Sequence, residues 1–283
     1  MNTLLESLKI DMIDYLQKFR LDDKIAFIVG GLGLIGKEVS IALSMAGAKT
    51  IVLELNDKEK QLFIIEMDKK GFKIAFNNFD CTDMAQIDKN LTNIEKENGS
   101  PDIFINCSYP RTKDWGKSSF KDNTLKSFQK NVDIHMNSYA WLARLAAETM
   151  VQHGNNGSII QLGSIYGIVG QDISVYEGTD IQENMTYAAI KGGITNLTRQ
   201  MASYYGQFNI RINTICPGGL QGHMAGKADK QDPIFVEQYN KKVPLKRMGH
   251  ADDVASAALF LASEASSYIT GTSIMVDGGW TII

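Results

Sequence analysis

The sequence predicts a doubly wound α/β fold, in which a parallel sheet of about seven strands carries helices on both faces. Seven short apolar runs alternate with segments of helical periodicity from residue 24 onward. A glycine-rich turn follows the first run, and polar side chains recur where several of the other runs end. No repeat, low-complexity segment or linker interrupts residues 21–283. We therefore expect a single domain over residues 21–283, preceded by an N-terminal helical extension over residues 1–20.

The individual elements follow from the spacing of apolar residues. Residues 1–20 carry them at three- and four-residue steps, which predicts an amphipathic helix that packs on its own domain or on a neighbouring subunit. These residues are Leu5, Leu8, Met12, Leu16 and Phe19. Continuous apolar runs, typical of strands covered on both faces, predict strands at residues 25–29, 50–55, 73–79, 103–106, 158–162, 210–215 and 273–276. Helical patterns cover residues 34–46, 57–70, 83–98, 135–153 and 251–263.

Composition excludes several classes of function. The chain has 283 residues, of which 44% are hydrophobic and 22% are charged, as in ordinary soluble globular proteins. A net charge of -3 gives no reason to expect a nucleic-acid or membrane partner. The three cysteines and four histidines lack the spacing of disulfide frameworks or metal ligands, so no metal is predicted. The N-terminus lacks the basic start and apolar centre of a secretory signal, and we expect a cytoplasmic protein.

A serine, a tyrosine and a lysine form the candidate catalytic set. Tyr187 and Lys191 lie four residues apart in a helix-favouring segment, so both side chains share one helical face. A protonated lysine beside a phenol stabilises the phenolate and makes a proton shuttle usable near neutral pH. Ser164 follows a buried strand, and its hydroxyl can bind the oxygen of an alcohol or carbonyl. A second pair with this spacing, Tyr109 and Lys113, encloses a proline and is expected to be non-helical.

The glycine-rich turn predicts a dinucleotide site. Its glycines lie between the first strand and the first helix, where they allow a tight turn and close approach of the backbone to a pyrophosphate. They are Gly30, Gly31, Gly33 and Gly36. Glu54 ends the second strand and can bind both hydroxyls of an adenosine ribose, whereas it repels a 2′-phosphate. Leu55 stands where a basic partner for that phosphate would be needed, so we expect NAD(H) rather than NADP(H).

These residues, in this order, resemble the short-chain dehydrogenase/reductase family over about residues 24–280. The resemblance includes I-R-I-N-T-I-C-P-G-G at residues 210–219, P-L-K-R-M-G at residues 244–249 and Y-I-T-G-T-S-I-M-V-D-G-G at residues 268–279. It implies a Rossmann-type dinucleotide-binding domain and a homo-oligomer, a tetramer or a dimer, paired through the long helices and the last strand.

The resemblance also implies residue roles. Tyr187 would donate or accept the proton, Lys191 would lower its pKa and hold the nicotinamide ribose, and Ser164 would orient the substrate oxygen. The implied cofactor contacts are Gly30, Gly33, Leu34, Ile35, Gly36, Glu54, Leu55, Asp80, Cys81, Asn106, Cys107, Tyr187, Lys191, Pro217, Gly218 and Leu220.

Four features depart from the family pattern. The glycine spacing is commoner in a longer, sugar-nucleotide-handling branch of the family. The usual N-N-A-G after the fourth strand is N-C-S-Y here, so only Asn106 of it is kept. The family's fourth catalytic residue, usually an asparagine, aligns best with His135, with Asn137 nearby, and we expect His135 to be a packed or partly exposed side chain. The loop over residues 165–186 is longer than usual.

The composition of the long loop indicates a class of substrate. It is rich in polar and charged residues, which favours a hydroxyl-rich or amino-bearing substrate over a lipid. The string I-Y-G…Y-E-G-T…M-T-Y-A-A-I-K resembles a bacterial subgroup linked to flagellin modification and surface-glycan synthesis of the legionaminic-acid type. Two alternatives stay open: an NADPH-dependent 3-oxoacyl-thioester reductase, and a catalytically weak NAD-binding regulatory or scaffold module.

Overall fold

The computed structural model describes residues 13–55, 57–72, 74–222 and 231–283. Residues 1–12, most of the predicted N-terminal helix, lie outside these ranges. Over residues 13–20 the only helical element is a three-residue 3₁₀ turn, Gln17–Phe19. The Asp14 carboxylate accepts the backbone N–H groups of Leu16 and Gln17 at 3.0 and 3.1 Å, which forms a local turn in place of a continuing helix. The predicted helix is therefore not present in this part of the extension.

Seven parallel strands form one sheet, as predicted, in the order β3-β2-β1-β4-β5-β6-β7. The strands are β1 (Ile25–Val29), β2 (Lys49–Glu54), β3 (Ile74–Asn78), β4 (Ile103–Asn106), β5 (Ser158–Leu162), β6 (Arg211–Pro217) and β7 (Ser273–Val276). Their boundaries differ from the predicted ones by at most two residues. The strand order reverses between β1 and β4, which leaves a crevice beyond their carboxyl ends, the usual place for a ligand in such sheets.

Eight α-helices connect the strands in the part of the chain that the structure describes. They are α1 (Leu34–Met45), α2 (Asp57–Lys69), α3 (Ile87–Asn98), α4 (Leu125–Asn131), α5 (Ser138–His153), α6 (Met185–Tyr205), α7 (Pro233–Lys242) and α8 (Ala251–Ala262). Helix α3 begins four residues later than predicted, after a turn in which the Asp80 carboxylate accepts the N–H of Thr82 at 2.8 Å. Helices α4 and α7 were not predicted.

The helix predicted over residues 135–153 is longer and less regular than expected. A π-helical segment, Val132–Asn137, joins α4 to α5 in one continuous run. Thr124 caps the start of helix α4, and its hydroxyl accepts the N–H of Ser127 at 3.2 Å. The composite helix therefore starts well before the apolar periodicity that predicted it.

The sheet separates two hydrophobic layers. On one face Phe27, Phe104 and Ile159 pack against α3, α5 and α6; on the other, their neighbours Ile28 and Ile105 pack against α1 and α8. Successive strand residues point to opposite faces, so every strand position is apolar when both faces are covered. This explains why the strands read as unbroken apolar runs. Within the described ranges, no helix has the length and apolarity that crossing a membrane requires.

Candidate active site

The glycine turn after β1 brings three segments of backbone into contact. Gly30 has φ of +72°, and a Cβ there would lie 2.7 Å from the Cα of Ser108. A Cβ on Gly36 would lie 2.1 Å from the carbonyl oxygen of Gly30. Helix α1 therefore starts directly against the end of β1 because both positions lack a side chain.

Helix α1 begins after Gly33 without a side-chain cap. The first amides of an α-helix have no acceptor within the helix, and they carry the positive end of its dipole. In α1 these amides belong to Leu34, Ile35 and Gly36, which follow the carboxyl end of β1 next to the crevice. The turn therefore offers donors to an anionic group such as a phosphate.

Glu54 and Leu55 lie at the carboxyl end of β2, where the adenosine was expected. Glu54 Oε1 accepts the N–H of Leu55 at 2.9 Å, and the Leu55 side chain is 51% exposed. The ammonium of Lys37, on α1, pairs with Glu66 at 3.6 Å rather than with Glu54. The carboxylate of Glu54 thus has no cationic side chain bonded to it among the described residues.

A cavity of about 400 Å³ opens beside this end of the sheet. Asp80, which lines it, accepts hydrogen bonds from the backbone and the hydroxyl of Thr82. Burial raises the pKa of the neighbouring Cys81 to about 11, so this thiol is protonated at neutral pH. The residues lining the cavity are Leu55, Asn77, Asn78, Asp80, Asn90, Asn93, Ile94 and Glu97.

The turn after β4 is fixed by buried polar contacts. Asn106 Oδ1 accepts the N–H and hydroxyl of Ser108 at 3.1 and 2.7 Å, whereas its Nδ2 is buried without a hydrogen-bond partner among the described residues. The hydroxyl of Tyr139, on α5, lies 2.7 Å from the carbonyl oxygen of Ser108. Cys107 donates its N–H to Val29, which ties the turn to β1. Burial raises the pKa of Cys107 to about 12.

Ser164, Tyr187 and Lys191 converge where β5 meets α6. Ser164 is buried just beyond the end of β5, and its Oγ accepts the N–H of Tyr166 at 3.1 Å. Helix α6 begins after Asn184, whose side chain accepts the N–H of Tyr187 at 2.8 Å. Lys191 lies one turn further along α6, with its Nζ 5.8 Å from the centre of the Tyr187 ring. The structure thus brings together the three residues that the sequence selected.

Burial controls the protonation of this set. It raises the pKa of Tyr187 to about 12, although the nearby Ser164 hydroxyl acts to lower it. It lowers the pKa of Lys191 to about 7. Lys191 Nζ donates to the carbonyl of Leu162 at 2.7 Å rather than to the phenol. Desolvation by burial is the largest cause of the raised Tyr187 pKa, and the lowering of that pKa by Lys191 stays a prediction.

Aromatic side chains that the sequence analysis did not name as site residues pack around Tyr187. The ring of Tyr109 lies 6.0 Å from that of Tyr187 in an edge-to-face arrangement, and the ring of Trp115 lies 6.3 Å away. The segment from Tyr109 to Lys113 is non-helical, as predicted. Its tyrosine nevertheless reaches the site, and the replacement of the family's glycine by a tyrosine at residue 109 was the signal available in the sequence.

Pro217, Gly218 and Leu220 extend from the end of β6 on the other side of the crevice. Gly218 donates its N–H to Val276 on β7 at 3.0 Å, and Leu220 pairs with Gly249 in an isolated bridge. These bonds hold the segment against the end of β7 and the chain before α8. The chain that follows, residues 223–230, lies outside the described ranges.

The loop over residues 165–186 is bound to α7. Lys242 forms an ion pair with Asp172, and Gln238 Nε2 donates to the carbonyl of Glu177 at 2.6 Å. The Tyr176 ring stacks on that of Phe235 at 5.8 Å. The loop and α7 therefore form one surface next to Ser164.

Comparison with known proteins identifies the family. The model of a family described as "Enoyl-(Acyl carrier protein) reductase" matches residues 33–281, nearly the whole chain. The chain belongs to the short-chain dehydrogenase/reductase family. It is an NAD(P)-dependent oxidoreductase that acts on CH–OH groups.

Individual relatives carry different names. The chain is 29% identical to "Post-translational flagellin modification protein A" of Campylobacter coli over 261 residues, covering 92% of this chain and 99% of that protein. It is also 29% identical to "Galactitol 2-dehydrogenase" of Rhizobium johnstonii over 274 residues, covering 95% and 99%.

Solved structures of similar shape contain either cofactor. A short-chain dehydrogenase from Leptospira borgpetersenii with bound NAD⁺ matches with a TM-score of 0.80 at 29% identity, covering 95% of this chain and 97% of the other. A gluconate 5-dehydrogenase from Burkholderia cenocepacia in complex with NADP and tartrate matches with a TM-score of 0.83 at 25% identity, covering 95% and 99%.

His135, which the sequence analysis aligned with the family's fourth catalytic position, is a buried histidine in this dehydrogenase. His135 is fully buried in the π-helical segment, and neither ring nitrogen has a hydrogen-bond partner among the described residues. Burial lowers its pKa well below the usual value, so the imidazole is neutral. Asn137 is exposed, and its side chain contacts Asp133 at 3.4 Å. The expectation of a packed His135 is confirmed.

Proposed function

We propose that this dehydrogenase interconverts an alcohol and a carbonyl with NAD(H), acting in the cytoplasm on a sugar or sugar derivative. The observation that carries the proposal is the convergence of Ser164, Tyr187 and Lys191 beside the glycine turn and the end of β4. A nucleotide-binding scaffold would require only the turn. The retention of all three polar residues at one buried place supports chemistry there.

The crevice fits a dinucleotide. Gly30 lets the backbone of the turn approach Ser108, the free amides at the start of α1 suit a pyrophosphate, and the unpaired Nδ2 of Asn106 is a buried donor. When bound, the nicotinamide supplies or accepts the hydride. The residues that would hold the cofactor are Gly30, Gly33, Leu34, Ile35, Gly36, Glu54, Leu55, Asp80, Cys81, Asn106, Cys107, Tyr187, Lys191, Pro217, Gly218 and Leu220.

The charge at the end of β2 supports NAD(H) over NADP(H). Glu54 presents a carboxylate where a 2′-phosphate would lie, and Leu55 presents an apolar side chain. Lys37, on the first turn of α1, is paired with Glu66. A phosphate at this position would meet one negative charge and no free cation among these side chains.

The proton chemistry follows from the pKa of Tyr187. Because burial raises that pKa to about 12, the resting group at neutral pH is the phenol. In the reduction direction the phenol donates its proton to the substrate oxygen as the carbonyl becomes an alkoxide, a much stronger base. Ser164 holds the same oxygen by a hydrogen bond. In the oxidation direction the phenolate takes the proton of the alcohol, and a cationic Lys191 stabilises that phenolate.

Two observations support a sugar-like substrate. The loop on α7 places polar groups beside the site, and "Galactitol 2-dehydrogenase" is among the relatives. The relative named for flagellin modification agrees with the sequence resemblance to a subgroup linked to that process, and on this resemblance we extend the proposal to surface-glycan metabolism of the legionaminic-acid type. We extend the proposal to a homo-oligomer, a tetramer or a dimer, because Trp141, Tyr204 and Phe208 are exposed large apolar side chains on or near α5 and α6. Light scattering that shows a stable monomer would remove this extension.

The test mixes the purified protein with NAD⁺ or NADH and a panel of polyols, sugars, sugar phosphates and nucleotide sugars, with nicotinamide absorbance as the readout. We expect turnover that Tyr187→Phe abolishes and that Tyr15→Phe, at an exposed tyrosine outside the site, leaves unchanged. Full turnover by Tyr187→Phe would refute the assignment. NADH binding without any turnover would favour a scaffold, and faster reduction of an acyl thioester with NADPH would favour the alternative reductase.

A further inference from the structure

Arg111 carries a charge that no described residue of the protein neutralises. It is partly buried, and none of the described residues gives it a hydrogen bond or an ion pair. Each of the chain's other five arginines is either hydrogen-bonded or exposed. The bonded ones are Arg20, Arg211 and Arg247, and the exposed ones without such bonds are Arg144 and Arg199. A partly buried guanidinium without an acceptor is costly, and a ligand that supplies one relieves the cost.

Arg111 lies next to the reacting group. Its Cζ is 5.4 Å from the centre of the Tyr109 ring, and that ring is 6.0 Å from the ring of Tyr187. One aromatic ring therefore separates the guanidinium from the phenol. We propose that the substrate carries an anionic group, a carboxylate or a phosphate ester, that binds Arg111 while its alcohol or carbonyl lies at Tyr187. This inference rests on the proposed function and specifies its substrate class.

The backbone on both sides of Arg111 is held in place. The N–H of Thr112 donates to Asn131 Oδ1 at 2.9 Å, and Asn131 Nδ2 donates to Thr112 Oγ1 at 2.8 Å. Asn131 is completely buried on α4. On the other side, the Tyr139 hydroxyl binds the carbonyl of Ser108. Because the backbone on both sides is fixed, Arg111 loses less conformational entropy when it binds an anion, and this favours a subsite here.

Three acids of the loops beside the site have partners other than Arg111. Asp114 accepts the hydroxyl of Thr112, Asp172 pairs with Lys242, and Glu183 accepts the N–H of Phe120 at 3.1 Å. The planar guanidinium presents parallel donors that match the two oxygens of a carboxylate or a phosphate. Arg111 is therefore available to an anion of the substrate.

The experiment compares matched substrates that differ by one anionic group. D-Gluconate is paired with D-glucitol, and glucose 6-phosphate with glucose, each with NAD⁺, in the wild type, Arg111→Met, Arg111→Lys and Arg199→Met. We expect the wild type to prefer the anionic members. Arg111→Met should lose about 10- to 100-fold in kcat/KM on those members, mainly through KM, and little on the neutral ones. Arg111→Lys should retain part of the preference, and Arg199→Met all of it.

A preference for gluconate over glucitol indicates recognition of a carboxylate, and a preference for glucose 6-phosphate over glucose indicates recognition of a phosphate. NADH affinity, measured by nicotinamide fluorescence, should be unchanged in every variant. The proposal is overturned if Arg111→Met keeps the wild-type preference, if the wild type prefers the neutral members, or if Arg111→Met loses NADH affinity as strongly as activity, which would assign Arg111 to the nucleotide.

The test remains decisive if none of these compounds turns over. Gluconate and glucose 6-phosphate are then titrated into the enzyme–NADH complex. Binding that the wild type shows and Arg111→Met lacks supports the anion subsite, and the absence of binding in the wild type overturns it. Failure of the proposed function gives a different result, namely turnover that survives Tyr187→Phe.

Discussion

Replacing Gly36 by alanine should separate helix α1 from the nucleotide turn. The new Cβ would lie 2.1 Å from the carbonyl oxygen of Gly30 and 2.8 Å from the Cα of Gly31. Both contacts are to backbone, so no side chain can rotate to relieve them. The start of α1 must then move by about 1 Å to restore ordinary contact distances, as in overpacked cores.

This movement has two measurable costs. Overpacking of this kind costs about 1–3 kcal/mol of unfolding free energy, which lowers the Tm by several degrees in a chain of this size. The displaced amides of Leu34 and Ile35 would also lose their alignment with a phosphate. We expect the Kd for NADH to rise at least about tenfold, equivalent to about 1.4 kcal/mol.

The assay is a thermal melt together with a fluorescence titration of NADH. The matched control is Gly206→Ala, because a Cβ at Gly206 meets no atom within 4 Å and its φ is -58°. We expect the control to unfold and bind as the wild type does. If Gly36→Ala also melted and bound NADH like the wild type, the close contact between α1 and β1 would not be a requirement of the site.

Three further predictions test other parts of the site. Glu54→Gln should reduce the preference for NAD⁺ over NADP⁺ in kcat/KM by about tenfold, because a like charge is removed from the 2′-position; an unchanged ratio would disprove the role of Glu54. Asn131→Leu should lower the free energy of unfolding, measured with urea, by about 1–3 kcal/mol, since Thr112 loses both of its bonds to Asn131. The same variant should raise the KM of the alcohol without changing NADH affinity. Alcohol oxidation should accelerate as pH rises from neutrality towards the Tyr187 pKa of about 12, whereas carbonyl reduction should not; a pH-independent oxidation rate would contradict the assignment of the phenolate as base.

Much of the fold could be predicted because its signals are local. Each strand is an apolar run, and its carboxyl end is marked by a polar or glycine residue such as Glu54 or Ser164. The end of α4 and the start of α5 could not be predicted. Val132–Asn137 continues the helix in π geometry, which breaks the 3.6-residue period of apolar residues that indicates a helix. Helix α7 had a usable signal, since Asp232 precedes Pro233 and caps the helix.

Only the part of the site that follows from the spacing of residues along the chain could be predicted. Tyr187 and Lys191 share a face by their separation alone. Arg111 and Trp115 come close to them from an irregular segment and a short 3₁₀ turn after β4, which spacing does not predict. The protonation states were the least accessible. They depend on how completely Tyr187 and Lys191 are enclosed, which is a property of the folded packing rather than of the pair.

The π-helical segment changes the direction in which the residues that follow it face around the axis of the composite helix. Residues eight apart in a regular α-helix differ by about 80° around its axis, so Asn131 and Tyr139 would face different directions. One extra residue, accommodated as a π turn, reduces that difference to about 20°. Both side chains can then bind the one strand-to-loop segment, at Thr112 and Ser108. A chain shortened by one residue within Val132–Asn137 would keep both binding groups but turn them apart.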